Sequence, residues 1–195
     1  MIYKPYDHTR WQHFRAQITP LAKDWVKSLL FIALFALFMN LFFPRYAVTG
    51  ASMEPTLHEM ERLFVSNVDI MTRPPERGEV VILTSPYDGV MIVKRVIGLP
   101  GERVTVRGGV VYINGVALQE DYINEAPTYT GTWEVGEHQY FVMGDNRNRS
   151  LDSADYGAVD AGIIHGVVKF RWYPLNALRG FGLPDYGELN PTRTP

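Results

Sequence analysis

The sequence predicts a mostly β domain, built as a barrel-like fold or a coiled sandwich, behind one N-terminal transmembrane helix. Three observations predict this. One apolar run near the N-terminus has the length of a membrane span. Beyond it, apolar runs are short, rich in β-branched and aromatic residues, and separated by Gly, Pro and Asn-Gly. A content of 46% hydrophobic and 21% charged residues is typical of a folded chain rather than a disordered one.

The predicted span covers residues 25–43, where Lys27 is the only charged residue. Crossing the hydrocarbon core takes about 17–25 residues, so this run is long enough, and Pro44 ends the helix because it lacks a backbone donor. Basic residues outnumber acidic ones in residues 1–24. The positive-inside rule therefore predicts a short cytoplasmic tail, without a sustained helical period, and an extracytoplasmic domain after the span.

A cleaved secretory signal is the alternative interpretation of the same run. Thr49-Gly50-Ala51 places small residues where a signal cleavage site would have them. The long N-terminal region and the Pro44-Arg45 pair favour a retained anchor instead.

The predicted β domain covers residues 44–182. Its eight strands are expected at residues 46–48, 62–68, 78–83, 89–97, 103–107, 110–113, 138–144 and 163–172. Asn114-Gly115 favours a two-residue type I′ turn, which joins two strands into a hairpin. Residues 120–136 are expected to form a long loop or small subdomain. Residues 183–195 contain three prolines and little to bury, so they are predicted to be a mobile tail.

Several functional classes are disfavoured by composition. The chain has no cysteine, so it has neither disulfides nor a thiolate metal site. Its five histidines are scattered and form no H-E-x-x-H motif, so no metal and no cofactor are expected. A net charge of -2 with dispersed basic residues gives no indication of a nucleic-acid surface.

Ser52 attracts attention because it follows the apolar run in a polar, turn-rich stretch, T-G-A-S-M-E-P-T-L. A Ser-His-Asp hydrolase would present its serine in a G-x-S-x-G elbow, and the local string is G-A-S-M-E. This mismatch disfavours a nucleophile elbow, although a triad scattered along the chain stays open. A serine activated by a lysine is the other form of the same nucleophile–base chemistry.

Lys94 is the candidate base. Strand alternation places it with Val90, Ile92 and Val96, and places Arg95 on the opposite face, so the pattern alone does not decide which cation faces the core. A guanidinium is effectively always charged, whereas burial can lower a lysine pKa enough to make the amine a base. A surface lysine on an edge strand is the simpler alternative.

Three motifs carry a family resemblance. G-A-S-M-E-P-T-L, V-K-R-V-I-G-L-P-G-E and M-G-D-N-R-N-R-S-L-D-S-A-D-Y-G follow one another behind the apolar run. The chain resembles the bacterial type I signal peptidases, membrane-bound Ser/Lys proteases, from residue 25 to about residue 173. The resemblance implies a Ser/Lys protease domain that cleaves signal peptides from exported preproteins at the outer face of the cytoplasmic membrane. A plastid thylakoid enzyme stays open as an alternative.

The resemblance also implies roles for individual residues. Ser52 matches the nucleophile, Lys94 the general base, and Ser150 the serine that orients the lysine. Asp152 matches the acidic residue that supports this loop.

Further implied roles concern the surroundings of the dyad. Asp145 and Arg95 are expected to form an ion pair that holds the G-D-N segment against the lysine strand. Met53 and Pro55 are expected to shape the turn that presents Ser52.

Two positions depart from the family pattern. Gly50 stands where some members have a serine that binds the oxyanion, so the backbone N–H of Ser52 is expected to act with the Gly50 backbone or a side chain such as Thr49. Ala154 stands where an arginine often pairs with the loop aspartate, and Arg147 or Arg149 is expected to supply that charge, unless the loop is less rigid.

The expected partners are signal-peptide-bearing preproteins and the lipid bilayer, with a monomer as the working expectation. Phe64, Met60 and Trp133 are candidates for lipid contact. Two alternatives are weighed. Self-cleaving repressors share the Ser/Lys fold but carry a DNA-binding domain where this chain has its span. A membrane-anchored, non-catalytic β-module would leave Ser52, Lys94 and Ser150 as ordinary loop and strand residues.

Overall fold

The structure, a computed structural model, describes residues 8–42 and 44–189. Residues 1–7 of the predicted tail, residue 43 of the predicted span and residues 190–195 of the predicted C-terminal tail lie outside the described residues. The chain divides between Leu41 and Phe42 into a helical unit and a β-rich unit.

The helical unit contains α1 (His8–Phe42) except for its last residue. Within it, Lys23–Leu41 is long and apolar enough to cross a membrane, judged by length and composition. The helix begins at His8, inside the segment predicted to lack a helical period. Once an apolar segment has nucleated a helix, each added residue gains a hydrogen bond at little further cost, which accounts for the extension.

Twelve strands are described in the β-rich unit, and all their pairings are antiparallel. They are β1 (Arg45–Ala47), β2 (Arg62–Ser66), β3 (Val80–Thr84), β4 (Met91–Gly98), β5 (Arg103–Arg107), β6 (Val110–Ile113), β7 (Val116–Ala117), β8 (Gly131–Glu134), β9 (Gln139–Met143), β10 (Val159–Asp160), β11 (Ile164–Tyr173) and β12 (Arg179–Gly180). Two short helices, α2 (Asn67–Thr72) and α3 (Ser153–Tyr156), interrupt the series.

The strands form two sheets. Eight strands make the larger one, in the order β1-β2-β11-β3-β4-β9-β10, with β12 paired to β11. Four strands make the smaller one, in the order β7-β6-β5-β8. The mostly β class is therefore confirmed. The predicted hairpin turn is also confirmed, because Asn114 and Gly115 both have the positive φ that a type I′ turn requires.

Two predicted segments differ from the structure. The second strand ends at Ser66 rather than residue 68, because the Ser66 hydroxyl accepts a hydrogen bond from the Asp69 amide (3.4 Å) and caps α2. Residues 120–136, predicted to be a long loop or a small subdomain, contain β8, which pairs with β5 along its length and places Trp133 against Phe141.

The predicted mobile tail is wrong for the part that the structure describes. Tyr186 is buried in an apolar cluster with side chains such as Val104 and Phe141. The Leu189 carbonyl accepts a hydrogen bond from Arg77 Nε (3.2 Å). Tyr186 can bury its ring because tertiary packing offers it a place, which the proline-rich local sequence does not indicate.

Candidate active site

The loop between β1 and β2 presents Ser52. Two buried side chains of this loop, Met53 and Leu57, pack with Leu63 and Val80 of the core. The Val48 amide donates to the Glu61 carbonyl at 2.8 Å, which closes the base of the loop. Ser52 itself is half-buried and stays within reach of solvent, between loop residues that the core anchors.

Lys94 lies in the middle of β4, opposite Val81 of β3. Lys94 and Arg95 are each only 3% exposed, because both faces of this strand are covered. Burial disfavours the ammonium and lowers the pKa of Lys94 below its ordinary value of 10.5, although Asp152 and Asp145 oppose the effect. The Lys94 side chain is therefore not a surface lysine, and its environment favours the neutral amine.

Ser150 is the hydrogen-bond partner of this amine, with 2.9 Å between Lys94 Nζ and Ser150 Oγ. Gly144 brings Ser52 to the same place, since a methyl group on Gly144 would overlap both Ser150 Oγ and the Ser52 carbonyl oxygen. In the described part of the chain, no hydrogen bond joins Ser52 Oγ to Lys94 Nζ. The two predicted dyad residues thus share the neighbourhood of Gly144 and Ser150.

Asn146 fixes the loop that contains Ser52 and was not singled out from the sequence. Its backbone N–H donates to the Ser52 carbonyl, and its side-chain Nδ2 donates to the Ala51 carbonyl, each at 3.0 Å. Its place in the G-D-N segment, beside Asp145, is the sequence feature that could have identified it. These two bonds hold the peptide groups immediately before and after Ser52.

Arg95 and Asp145 come together as a buried ion pair. Arg95 Nε and Nη2 donate to the two carboxylate oxygens at 2.8 and 2.6 Å, and Nη1 donates to the Gly78 carbonyl at 2.8 Å. The guanidinium also lies 4.0 Å from the centre of the Tyr122 ring. This pair ties the loop after β9 to the lysine strand.

Asp152 is satisfied by backbone amides. It accepts from the Gly144 amide at 2.8 Å and the Ala154 amide at 3.0 Å, and it caps α3. Burial raises the pKa of Asp152, and the Ser150 side chain, the two amides and Lys94 oppose that rise. The carboxylate thus supports the loop between Gly144 and Ala154.

Neither arginine that was expected to pair with Asp152 does so. Arg147 is fully buried and donates to both carboxylate oxygens of Glu120, at 2.6 and 2.7 Å. Arg149 is exposed. The expectation that one of them pairs with Asp152 is therefore wrong, because two amides already occupy this carboxylate and Glu120 offers Arg147 a bidentate partner.

The predicted oxyanion donors stay predictions. Gly50 is exposed and has a φ of 84°, a left-handed conformation in which a serine would be strained. Thr49 is exposed, and Pro55 is half-buried beside Met53. The conformation at Gly50 accounts for a glycine there.

Of the three candidates for lipid contact, two pack against protein. Trp133 lies 5.1 Å from Phe141 and Phe64 lies 4.6 Å from Phe170, measured between ring centres. Met60 is 73% exposed. Only Met60 of the three therefore presents most of its surface to the surroundings.

Two small cavities adjoin the site. One, of about 260 Å³, is lined by residues that include Ser150, Tyr129 and Trp133. The other, of about 240 Å³, is lined by residues that include Glu54 and Asn146. Among the described residues, no group of three or more His, Asp or Glu side chains is placed to hold a metal ion.

Comparisons of the sequence with known proteins identify a family. Residues 22–173 match a family described as "Signal peptidase, peptidase S26". The chain is 38% identical over 169 residues to signal peptidase I of Bacillus licheniformis, covering 80% of this chain and 91% of the relative. It is 39% identical over 177 residues to probable signal peptidase I-1 of Synechocystis, covering 82% and 90%. A solved signal peptidase I from Enterococcus faecalis is 40% identical, covering 49% of this chain and 97% of that chain, with a TM-score of 0.46.

Proposed function

The chain belongs to the signal peptidase family, peptidase S26, a family of serine peptidases, and on this premise we propose that Ser52 and Lys94 form its catalytic dyad. The family resemblance inferred from the motifs is confirmed. The protein is an enzyme that removes signal peptides, so the non-catalytic module has no observation in its favour. The division of roles between the two side chains is the proposal.

The state of Lys94 carries this proposal. Its amine is buried, its pKa is lowered by that burial, and it donates to Ser150 Oγ at 2.9 Å. A neutral amine has two N–H bonds and one lone pair. When one N–H is directed to Ser150, the orientation of the amine is fixed and the lone pair is available for the proton of Ser52.

Acylation begins when the Lys94 amine takes the proton of the Ser52 hydroxyl. Ser52 Oγ attacks the carbonyl carbon of the scissile peptide, and the π electrons of that carbonyl move to its oxygen. Collapse of the tetrahedral intermediate breaks the C–N bond, and the Lys94 ammonium returns its proton to the leaving nitrogen. The signal peptide is then an ester of Ser52, and the mature chain leaves with a free amino group.

Deacylation repeats this chemistry with water. Lys94 removes a proton from a water molecule, whose oxygen attacks the ester carbonyl. Ser52 Oγ leaves and recovers the proton from Lys94. The Ser52 backbone N–H, with the Gly50 backbone or Thr49, is proposed to stabilise the oxyanion in both steps, where one such donor contributes about 2.7–4 kcal/mol.

The edge of β4 is the proposed docking site for the substrate. Met91–Val93 pair with β3 on one side, whereas pairing with β9 begins at Arg95. Among the described strands, none pairs with the second edge of Met91–Val93. An extended signal-peptide segment added there would gain main-chain hydrogen bonds and end beside Lys94. Selectivity for small side chains near the cut would then depend on shallow apolar pockets at this edge.

The membrane orientation is also proposed. The helix within Lys23–Leu41 is consistent with a single span. The basic residues before it support an N-terminus in the cytoplasm and the β-rich unit outside. Enzyme and signal peptide would then meet in the plane of one membrane, which raises their effective concentration.

Purified full-length protein in detergent micelles, incubated with a signal-bearing preprotein, tests the dyad. We expect Ser52→Ala to abolish cleavage. Ser66→Ala is the control, because this buried serine only caps α2 and its loss costs about 1 kcal/mol of stability. If folded Ser52→Ala still cut the same bond, Ser52 would not be the nucleophile.

A further inference from the structure

The C-terminal segment beyond β11 folds back onto the β-rich unit. The family match ends at residue 173, so this segment lies outside it. Tyr186 is only 6% exposed. A methyl group on Gly78 would lie 2.6 Å from Pro184 and 2.8 Å from the Tyr186 ring. Tyr186 is therefore closely packed against the loop before β3.

The Tyr186 hydroxyl begins a chain of hydrogen bonds. It donates to the Tyr122 hydroxyl at 2.9 Å, and the Tyr122 hydroxyl donates to Glu120 Oε1 at 2.7 Å. The Tyr122 ring is fixed from another side by the Arg95 guanidinium, 4.0 Å from its centre. Each hydroxyl therefore has a defined direction.

The chain of hydrogen bonds continues through Arg147 to the loop between Gly144 and Ser150. Glu120 accepts from Arg147 Nη1 and Nη2 at 2.6 and 2.7 Å, and Arg147 Nε donates to the Gly144 carbonyl at 3.0 Å. Gly144 lies so close to the Ser52 carbonyl oxygen and the Ser150 hydroxyl that a Cβ atom at this position would overlap both. A displacement of Arg147 would thus move Gly144, against which the loop that contains Ser52 and the Ser150 side chain both pack.

We propose that Tyr186 is a positioning residue, which holds the Gly144–Ser150 loop in its reactive arrangement through Tyr122, Glu120 and Arg147. This inference rests on the proposed function of Ser52 and Lys94. The C-terminal segment then helps to orient the Lys94 amine through these residues rather than by binding the dyad directly. Networks of this kind polarise and rigidify their members when every group is satisfied.

The test compares Tyr186→Phe with Tyr140→Phe in full-length protein. Both rings are buried, at 6% and 3% exposure, and each substitution removes one hydroxyl, but Tyr140 lies outside the chain of hydrogen bonds. We expect Tyr186→Phe to lower kcat about threefold to tenfold with KM unchanged. The pH midpoint of kcat should rise, because a looser loop admits water to the Lys94 amine. Tyr140→Phe should change neither quantity.

The same pair of measurements in a Tyr122→Phe background separates positioning from packing. Tyr122→Phe interrupts the chain, so adding Tyr186→Phe should cause no further loss of kcat. An equal second loss, or a lower thermal midpoint with unchanged kcat and pH midpoint, would overturn the inference. So would wild-type kinetics of Tyr186→Phe while Ser52→Ala is inactive, which leaves the proposed function intact. Residual cleavage by Ser52→Ala would instead contradict the proposed function itself.

Discussion

The Lys94 amine donates a hydrogen bond to the Ser150 hydroxyl at 2.9 Å, across 56 positions of sequence. One partner lies in a central strand and the other follows a short 3-10 helix, Arg147–Arg149. The bond therefore depends on how the loop after β9 is held against β4. The Arg95–Asp145 ion pair provides that attachment, and the two amides bound by Asp152 hold the loop itself in shape.

Lys94→Met should abolish turnover while the fold is kept. Methionine fills a similar volume and needs no hydrogen bond, but it has no lone pair basic enough to accept the Ser52 proton. Cleavage of a preprotein should fall to the level of Ser52→Ala. Lys169→Met is the matched control, because Lys169 is a half-exposed lysine of β11 that pairs with Asp69 at 2.7 Å. Retained turnover in Lys94→Met would exclude Lys94 as the base.

The rate should rise with pH as Lys94 loses its proton. Burial lowers the pKa of Lys94, so the midpoint of kcat should lie below 10.5. Single-turnover cleavage measured from pH 6 upward, within the range where the protein stays folded, gives this midpoint. With chemistry rate-limiting, a profile that is flat through this range contradicts a lysine base.

Stability should show the same titration. Because the folded-state pKa of Lys94 is below the unfolded value of 10.5, the unfolded chain binds more protons between these two values. The free energy of unfolding of the wild type should therefore rise with pH in this window, by up to about 1.4 kcal/mol per pH unit, relative to Lys94→Met. Thermal unfolding of both proteins, compared at each pH, measures the difference. A constant difference would mean that burial does not penalise the ammonium.

Ser150→Ala should weaken catalysis without removing it. The amine loses the partner that directs its N–H, so it is misdirected and more accessible to water, and kcat should fall by roughly 10²-fold. Leu151→Ala is the neighbouring control, because Leu151 is exposed. If Ser150→Ala kept the wild-type kcat, the 2.9 Å contact would not orient the base.

Local sequence signals predicted much of the fold. The alternating strands and the Asn114-Gly115 turn depend on residues close together in the chain, so they could be read without a structure. Neither β8 nor the burial of Tyr186 could be predicted from local sequence. The strand β8 depends on pairing with β5, and Tyr186 depends on the apolar core that surrounds its ring.

In the candidate site too, some features could be predicted from sequence motifs and others depend on tertiary structure. The motifs identified Ser52, Lys94 and Ser150. The bonds from Asn146 to the loop that contains Ser52 could not be predicted, because they join residues nearly a hundred positions apart. The partner of Arg147 was mistaken because Glu120 lies in a loop whose path the sequence does not indicate. Ionic partners at this distance are decided by tertiary structure.

Gly144→Ala should disable the enzyme by displacing the loop. A methyl group at this position would overlap the Ser52 carbonyl oxygen and Ser150 Oγ, and lie 2.6 Å from Ser150 Cβ, so at least one of these groups must move. Gly182→Ala is the matched control, because its added methyl group meets nothing within 4 Å and its φ is ordinary. We expect kcat to fall at least about 10²-fold in Gly144→Ala, since misplacement by about 1 Å has an effect of that size. Gly182→Ala should cleave as the wild type does. Equal activity of the two variants would show that Ser52 and Ser150 do not depend on close approach at Gly144.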